Sequence, residues 1–145
     1  EFLVNFSKEK KKKGKKVVLC HGDFDLIHLG HIKHFEAAKK FGDYLIVSLT
    51  SSKYVQKGIN RPLYKDHERM EFLSSISTID YVYIDHNLNA VDVISKIKPN
   101  FYAKGVDYKN SSLDVTGQIG REEKTVKKYG GNIIFTKAIL IPVLH

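Results

Sequence analysis

The chain has 145 residues, of which 42% are hydrophobic and 28% are charged, a composition typical of one soluble globular domain. Its apolar runs are too short to cross a bilayer, and its N-terminus lacks the apolar segment of a signal peptide. The single cysteine excludes an internal disulfide. We therefore expect a cytoplasmic protein with no membrane partner.

The net charge of +8 is concentrated near the N-terminus, where residues 1–16 hold seven lysines and two glutamates. A lysine run usually marks a solvated helix end, and the alternative is an arm that binds nucleic acid. Only Phe2 and Phe6 accompany these lysines, so no stacking platform for bases is visible. We expect residues 1–14 to form a basic helix or arm ahead of one domain over residues 15–145.

Apolar periodicity and capping residues predict an alternation of strands and helices. The predicted strands cover residues 16–20, 44–49, 81–84, 101–103 and 133–135. The predicted helices cover residues 2–13, 30–41, 66–77 (capped by Asp66) and 119–129, with one more between Asn89 and Pro99. About five alternations favour an α/β fold, Rossmann-like and doubly wound, with five parallel strands and helices on both faces. Ligands of such sheets bind beyond the carboxyl ends of the strands.

Residues 20–31 connect the first predicted strand after the basic segment to the helix that follows it. A helix N-terminus offers unpaired backbone N–H groups and a partial positive charge, which suit a phosphate. Gly22 allows a ligand to approach the backbone closely. His28 and His31 are three residues apart, so their rings are expected to share one side of the helix and point into one cavity.

Two other interpretations of this histidine pair stay open on the sequence. His28 and His31 can form a metal pair with His21 or His34 as a third ligand, although structural zinc usually takes four ligands. They can also be ordinary polar residues at a helix start. Asp25 is expected to brace the loop rather than to take part in chemistry.

The motif His28-Leu29-Gly30-His31, preceded by Gly22-Asp23-Phe24-Asp25, resembles the HxGH signature of the cytidylyltransferase-like nucleotidylyltransferase superfamily. Further segments resemble the nucleotidylyltransferase domain known from ADP-heptose synthesis, which is often fused to a sugar kinase. These segments are Lys57-Gly58 with Arg61-Pro62, Glu68-Arg69-Met70 and Lys104-Gly105-Val106-Asp107-Tyr108. The similarity extends over roughly residues 15–136.

This resemblance implies an enzyme that joins a nucleoside triphosphate to a phosphorylated substrate, releases pyrophosphate, uses Mg²⁺ and works as a homodimer. It favours transfer of AMP from ATP to a sugar phosphate. The alternative within the family is a CTP-dependent enzyme acting on a sugar, polyol or alcohol phosphate. An alternative of another class is a nucleic-acid-binding module on an inactive nucleotide fold, although nucleic acid is not the expected partner.

Carried over residue by residue, the resemblance assigns three roles. The catalytic residues are His28, His31 and Lys57. The nucleotide-binding residues are Gly22, Asp23, Phe24, Gly30, Arg69, Lys104, Gly105 and Asp107, and Arg61 is assigned to the phosphorylated substrate. The histidines would donate to phosphate oxygens, and the arginines would hold phosphates bidentately. No side chain is assigned to a metal.

The chain departs from the family pattern in two places. The family usually closes with a serine/threonine-rich turn that opens a last helix, whereas here residues 137–145 are mostly apolar, so this part is expected to be missing or altered. His21 and Asp23 stand where the heptose enzymes commonly have asparagine and cysteine. The identity of the sugar therefore stays open.

Overall fold

Five strands form one all-parallel sheet in this computed structural model, which describes residues 1–55, 60, 62–105 and 118–137. In chain order they are β1 (Val17–Gly22), β2 (Tyr44–Thr50), β3 (Tyr81–Asp85), β4 (Phe101–Gly105) and β5 (Asn132–Thr136). Their spatial order is β3-β2-β1-β4-β5. The chain therefore builds outward from β1 to one edge and then returns to its other side. This places the topological switch point between β1 and β4, and it confirms the predicted α/β fold.

Helices cover both faces of the sheet. In chain order they are α1 (Phe2–Lys12), α2 (Leu29–Lys39), α3 (Asp66–Ser74), α4 (Val91–Ile97) and α5 (Gln118–Lys128), with one turn of 3₁₀ helix at Ser52–Tyr54. Apolar side chains of α2 and α3 pack on one face, and those of α1, α4 and α5 pack on the other. The central strands β1 and β2 are buried on both faces, as their continuous apolar runs require.

The basic N-terminal segment folds as a helix against the sheet. The ring of Phe6 lies 4.8 Å from that of Tyr81, and the Ser7 hydroxyl donates to the carbonyl of Ile97 at 2.7 Å. The aromatic residues of α1 thus rest on the body of the protein. Among the described helices, none combines the length and the apolar composition that a membrane crossing requires.

The predicted start of α3 was wrong in its capping residue. Asp66 is the first helical residue, and its carboxylate accepts from the backbone N–H of Ser52 at 2.7 Å instead of closing its own helix. Glu68 caps the helix, because it accepts from the backbone N–H of Lys65 at 3.0 Å. The helix ends at Ser74 and not at residue 77.

Candidate functional site

His28 and His31 lie together at the N-terminus of α2, directly beyond the carboxyl end of β1. Their ring centroids are 4.1 Å apart, so the two imidazoles share one side of the helix as predicted. The Nδ1 atom of His28 accepts from the backbone N–H of Gly30 at 3.0 Å. The Nδ1 atom of His31 accepts from the backbone N–H of His28 at 3.2 Å. The two side chains therefore cap the helix reciprocally.

These two hydrogen bonds decide where each neutral ring carries its proton. A ring nitrogen that accepts from a backbone N–H has no proton of its own, so Nδ1 is unprotonated in both histidines. The proton must then lie on Nε2, on the opposite side of the ring from the backbone. His28, whose side chain is exposed, directs an Nε2–H donor away from the helix end.

Gly30 is required by the position of the His28 ring. A Cβ atom at residue 30 would lie 2.7 Å from Cε1 and 2.9 Å from Nδ1 of His28. Such a contact is too short to be tolerated without moving the ring off the helix end. The glycine between the two histidines therefore serves the capping geometry of His28.

Glycine is needed at position 22 for a reason other than the close approach of a ligand that the sequence indicated. A Cβ atom at residue 22 would lie 2.9 Å from the tip of the Phe24 ring, so a protein side chain and not a ligand occupies this space. Phe24 is buried, packs 5.3 Å from the ring of Phe35 and holds a positive φ of 49°. The Phe24 ring thus fills the space beside Gly22 and belongs to the core beneath the turn, which leaves only the backbone of these two residues for the predicted nucleotide contact.

Asp25 braces the loop after β2, as predicted. Its carboxylate is buried and accepts from the backbone N–H groups of Leu63 at 2.8 Å and Tyr64 at 3.0 Å. The turn that carries His28 is therefore tied to the segment that leads into α3.

Arg69 does not present its guanidinium to the site. It is 2% exposed, and its N–H groups donate to the carbonyls of Asp23 and Thr50 at 2.7 Å, to the carbonyl of Tyr64 at 3.1 Å and to the carboxylate of Asp66 at 2.6 Å. All of its donors are used inside the protein, so this arrangement does not support the nucleotide role assigned to it. Arg69 instead joins the ends of β1 and β2 to α3.

Lys104 and Gly105 end β4, across the switch point from the histidine pair. The Lys104 ammonium lies 3.7 Å from the carboxylate of Glu122 and 5.4 Å from the centre of the Tyr102 ring. Glu122 is buried and also accepts from the Tyr102 hydroxyl at 2.8 Å. Burial and this carboxylate raise the pKa of Tyr102 well above its usual value, so the phenol stays a donor. The sequence did not point to Glu122, because α5 carries several charged residues with no distinguishing pattern.

Two further histidines lie near the same edge of the sheet. His21 binds the hydroxyls of Ser48 at 2.8 Å and Thr50 at 3.3 Å. Burial, and secondarily the Lys104 charge, lower its pKa to about 3. His34 hydrogen-bonds to Thr136 at the end of β5, and burial together with Lys104 and His31 lowers its pKa to about 4. Both rings are therefore neutral at physiological pH.

This arrangement does not support the alternative interpretation that His28 and His31 bind a metal together with His21 or His34. Both Nδ1 atoms of the pair accept from backbone N–H groups, and His21 and His34 are bound to hydroxyls. Among the residues that the structure describes, no three histidine, cysteine or acidic side chains form a group able to hold a metal ion. The predicted site residues Lys57, Arg61 and Asp107 lie outside the described residues.

The two partly buried neutral histidines, His21 and His34, predict an acid-labile fold. A neutral His34 with a folded pKa of about 4 stabilises the protein fully above the unfolded value of 6.5, and this stability is lost as the pH falls toward 4. The free energy of unfolding should therefore decrease between pH 7 and pH 4.5. We expect this decrease to be about 2 kcal/mol smaller in His34→Gln, which keeps a hydrogen-bonding group for Thr136. Urea denaturation at the two pH values measures it. The exposed His67→Gln should leave the loss unchanged, and an unchanged loss in His34→Gln would contradict the assignment.

Comparison with known proteins places this geometry in a family. A model of the cytidylyltransferase-like family matches residues 19–137. The chain belongs to the cytidylyltransferase-like family. Its curated relatives include the bifunctional protein HldE of Pelobacter propionicus (38% identical over 92% of this chain) and that of Aliarcobacter butzleri (40% over 81%). The narrower resemblance inferred from the motifs agrees with these relatives. The chain spans only about a quarter of their length, 26% and 25% respectively.

Solved structures of other proteins share this fold. The lipopolysaccharide core biosynthesis protein of Thermoplasma volcanium superposes with a TM-score of 0.68 over 89% of this chain and all of that one, at 22% identity. The pantoate-beta-alanine ligase of Francisella tularensis has a TM-score of 0.60 over 97% of this chain and 66% of its own, at 17% identity. At such identities the similarity concerns the fold alone.

Proposed function

We propose that this cytidylyltransferase-like domain transfers AMP from ATP to a phosphorylated sugar and releases pyrophosphate. The observation that carries the proposal is the pair of imidazoles, 4.1 Å apart, at a helix N-terminus beside the switch point. The relatedness to HldE proteins supports the choice of a sugar phosphate as acceptor. The family membership supports nucleotidyl transfer as the reaction class.

The reaction needs alignment and positive charge, with no covalent intermediate. An oxygen of the substrate phosphate attacks the α-phosphorus and forms the new P–O bond, while the bond from the α-phosphorus to the bridging oxygen breaks and its electron pair leaves with pyrophosphate. Negative charge builds on the phosphate oxygens as the bond breaks. His28 and His31 would stabilise it by donating from Nε2–H, a direction set in advance by their backbone hydrogen bonds.

The remaining contacts belong to the same proposal. Lys104, Gly105 and Asp107 would border the nucleotide, together with the backbone at Asp23 and Phe24. Lys57 would bring a positive charge to the phosphates, and Arg61 would contact the acceptor. Arg69 would act indirectly, by holding the carbonyls of Asp23 and Thr50 in place. In a longer protein this domain would work beside a sugar kinase, and as a homodimer.

Mg²⁺ would enter with the triphosphate. Magnesium in such sites is usually held by phosphate oxygens, water and at most one or two carboxylates, so no protein cage is needed. This fits a histidine pair whose Nδ1 atoms are already used by the backbone. When bound, the ion would neutralise charge on the phosphates.

The proposal is tested by measuring pyrophosphate release from ATP and CTP against a panel of phosphorylated sugars, polyols and alcohols. We expect ATP with a sugar phosphate to react fastest and to give a nucleoside-diphosphate sugar by mass spectrometry. Faster turnover with CTP, which the name of the family favours, would replace ATP by CTP in the proposal. No release with any pair under conditions where the protein is folded would reject nucleotidyl transfer.

A further inference from the structure

A basic groove separates α1 from the end of α4. It has a volume of about 520 Å³, and more than half of its lining residues are lysines: Lys8, Lys11, Lys12, Lys96 and Lys98. The other lining residues are Asn5 and the apolar Val4 and Ile97, and these two apolar residues are called its apolar floor below. Among the residues that the structure describes, no carboxylate lines the groove. Three lysines of the basic N-terminal segment, Lys8, Lys11 and Lys12, thus face this groove and not the candidate active site.

The basic groove lies at the opposite edge of the sheet from the candidate active site. Helix α4 ends just before β4, and Asn100 after it is hydrogen-bonded in both directions to Val17, the first residue of β1. The end of α4 is therefore next to the amino ends of the strands. The histidine pair lies beyond the carboxyl ends, so the lysines of the groove do not contribute to that site.

The lysines in the groove crowd one another. The Lys11 ammonium donates to the carbonyl of Lys98 at 2.8 Å, which also brings it close to the Lys98 side chain. Partial burial and the Lys98 charge lower the pKa of Lys11. Of the five lysines, Lys96 has an ion pair within the protein, with Asp92 at 3.0 Å. A negatively charged occupant would relieve this repulsion.

The shape and lining of the groove select among anionic occupants. An apolar floor between charged rims matches a helix that carries carboxylates on its flanks and aliphatic side chains on its inner face. Single-stranded nucleic acid prefers aromatic stacking surfaces, and no aromatic residue of the described part of the chain lines the groove. A lipid bilayer is flat and would contact the rim alone. Helix α1, with 11 residues, spans roughly 16 Å, which corresponds to about three turns of a docked helix.

We propose that the basic groove docks an acidic amphipathic helix of a partner protein, with its carboxylates on the lysines and its aliphatic side chains on Val4 and Ile97. The partner is defined by this chemistry: about three helical turns, glutamates on both flanks and leucine-type residues at i, i+3 and i+7.

A fluorescein-labelled peptide of about twelve residues with this Glu/Leu pattern tests the proposal by fluorescence anisotropy against the whole chain. The double substitution Lys8→Glu with Lys12→Glu should weaken binding about tenfold or more, because two attractive contacts become repulsive. The matched control Lys40→Glu with Lys124→Glu changes the net charge equally at exposed positions outside the groove, and should change the affinity less than twofold. Circular dichroism checks that all variants are folded.

Two further binding measurements distinguish the proposed helix from other occupants of the groove. A peptide with serine in place of each leucine should bind at least several-fold more weakly, and equal binding would exclude use of the apolar floor. An oligothymidine of similar charge, or vesicles of phosphatidylserine in phosphatidylcholine, should bind more weakly than the Glu/Leu peptide. Tighter binding of either, equal losses in the two double variants, or no measurable peptide binding to the wild type would overturn the proposal.

Discussion

Replacing His28 with alanine is expected to lower the rate of pyrophosphate release by about 10²–10³-fold, the usual effect of removing one donor from developing oxyanion charge. The reason is geometric. The backbone N–H of Gly30 holds Nδ1 of His28, so the Nε2–H of the neutral ring is fixed in direction before substrate arrives. Alanine removes that donor and also the helix cap.

The two losses are separated by a second variant. Asparagine is a favoured N-cap residue, so His28→Asn should restore the cap, and with it the midpoint of thermal unfolding, without restoring the rate. The exposed His67→Ala, on α3, serves as the matched control and should keep the full rate. A rate for His28→Ala within threefold of the wild type would remove His28 from the catalytic assignment.

Replacing Arg69 with methionine is expected to lower the free energy of unfolding by about 3–5 kcal/mol, the typical effect of removing one partner from a buried ion pair. Methionine keeps most of the aliphatic volume, so the decrease in the free energy of unfolding can be assigned to the missing guanidinium. Without it, the carbonyls of Asp23, Thr50 and Tyr64 lose a buried donor, and Asp66 loses its cation. Urea denaturation measures the change.

An exposed arginine provides the control for this substitution. Arg121→Met, on α5, changes the same side chain and charge at the surface, and should alter the free energy of unfolding by less than about 0.5 kcal/mol. A change below about 1 kcal/mol in Arg69→Met would contradict the bracing role. A large loss of stability in Arg69→Met with normal nucleotide affinity in the fraction that stays folded would separate bracing from direct phosphate binding.

The histidine pair and the arginine illustrate how far sequence reasoning reaches. The adjacency of His28 and His31 follows from a spacing of three residues on one helix, which is a local property. The same kind of reasoning assigned Arg69 to a phosphate because its motif resembles that of a family. In the structure the Arg69 side chain points into the protein and donates to the carbonyls of Asp23 and Thr50, which are distant in sequence.

The sequence by itself determined the alternation of strands and helices and the strand-to-helix turn at the histidine pair, because periodicity, capping and short spacing act between near neighbours. It also indicated that Asp25 braces a loop, but only the tertiary structure showed its partners, the backbone N–H groups of Leu63 and Tyr64. Only the tertiary structure decided that Phe24 fills the space above Gly22, that His34 meets Thr136, that Glu122 lies beside Lys104, and that the lysines of α1 face those at the end of α4. Phe24 lies over Gly22 while its ring packs against Phe35 of α2, and the other contacts join segments brought together by sheet order and helix packing. Such order depends on the burial of the whole apolar core, which no local pattern contains.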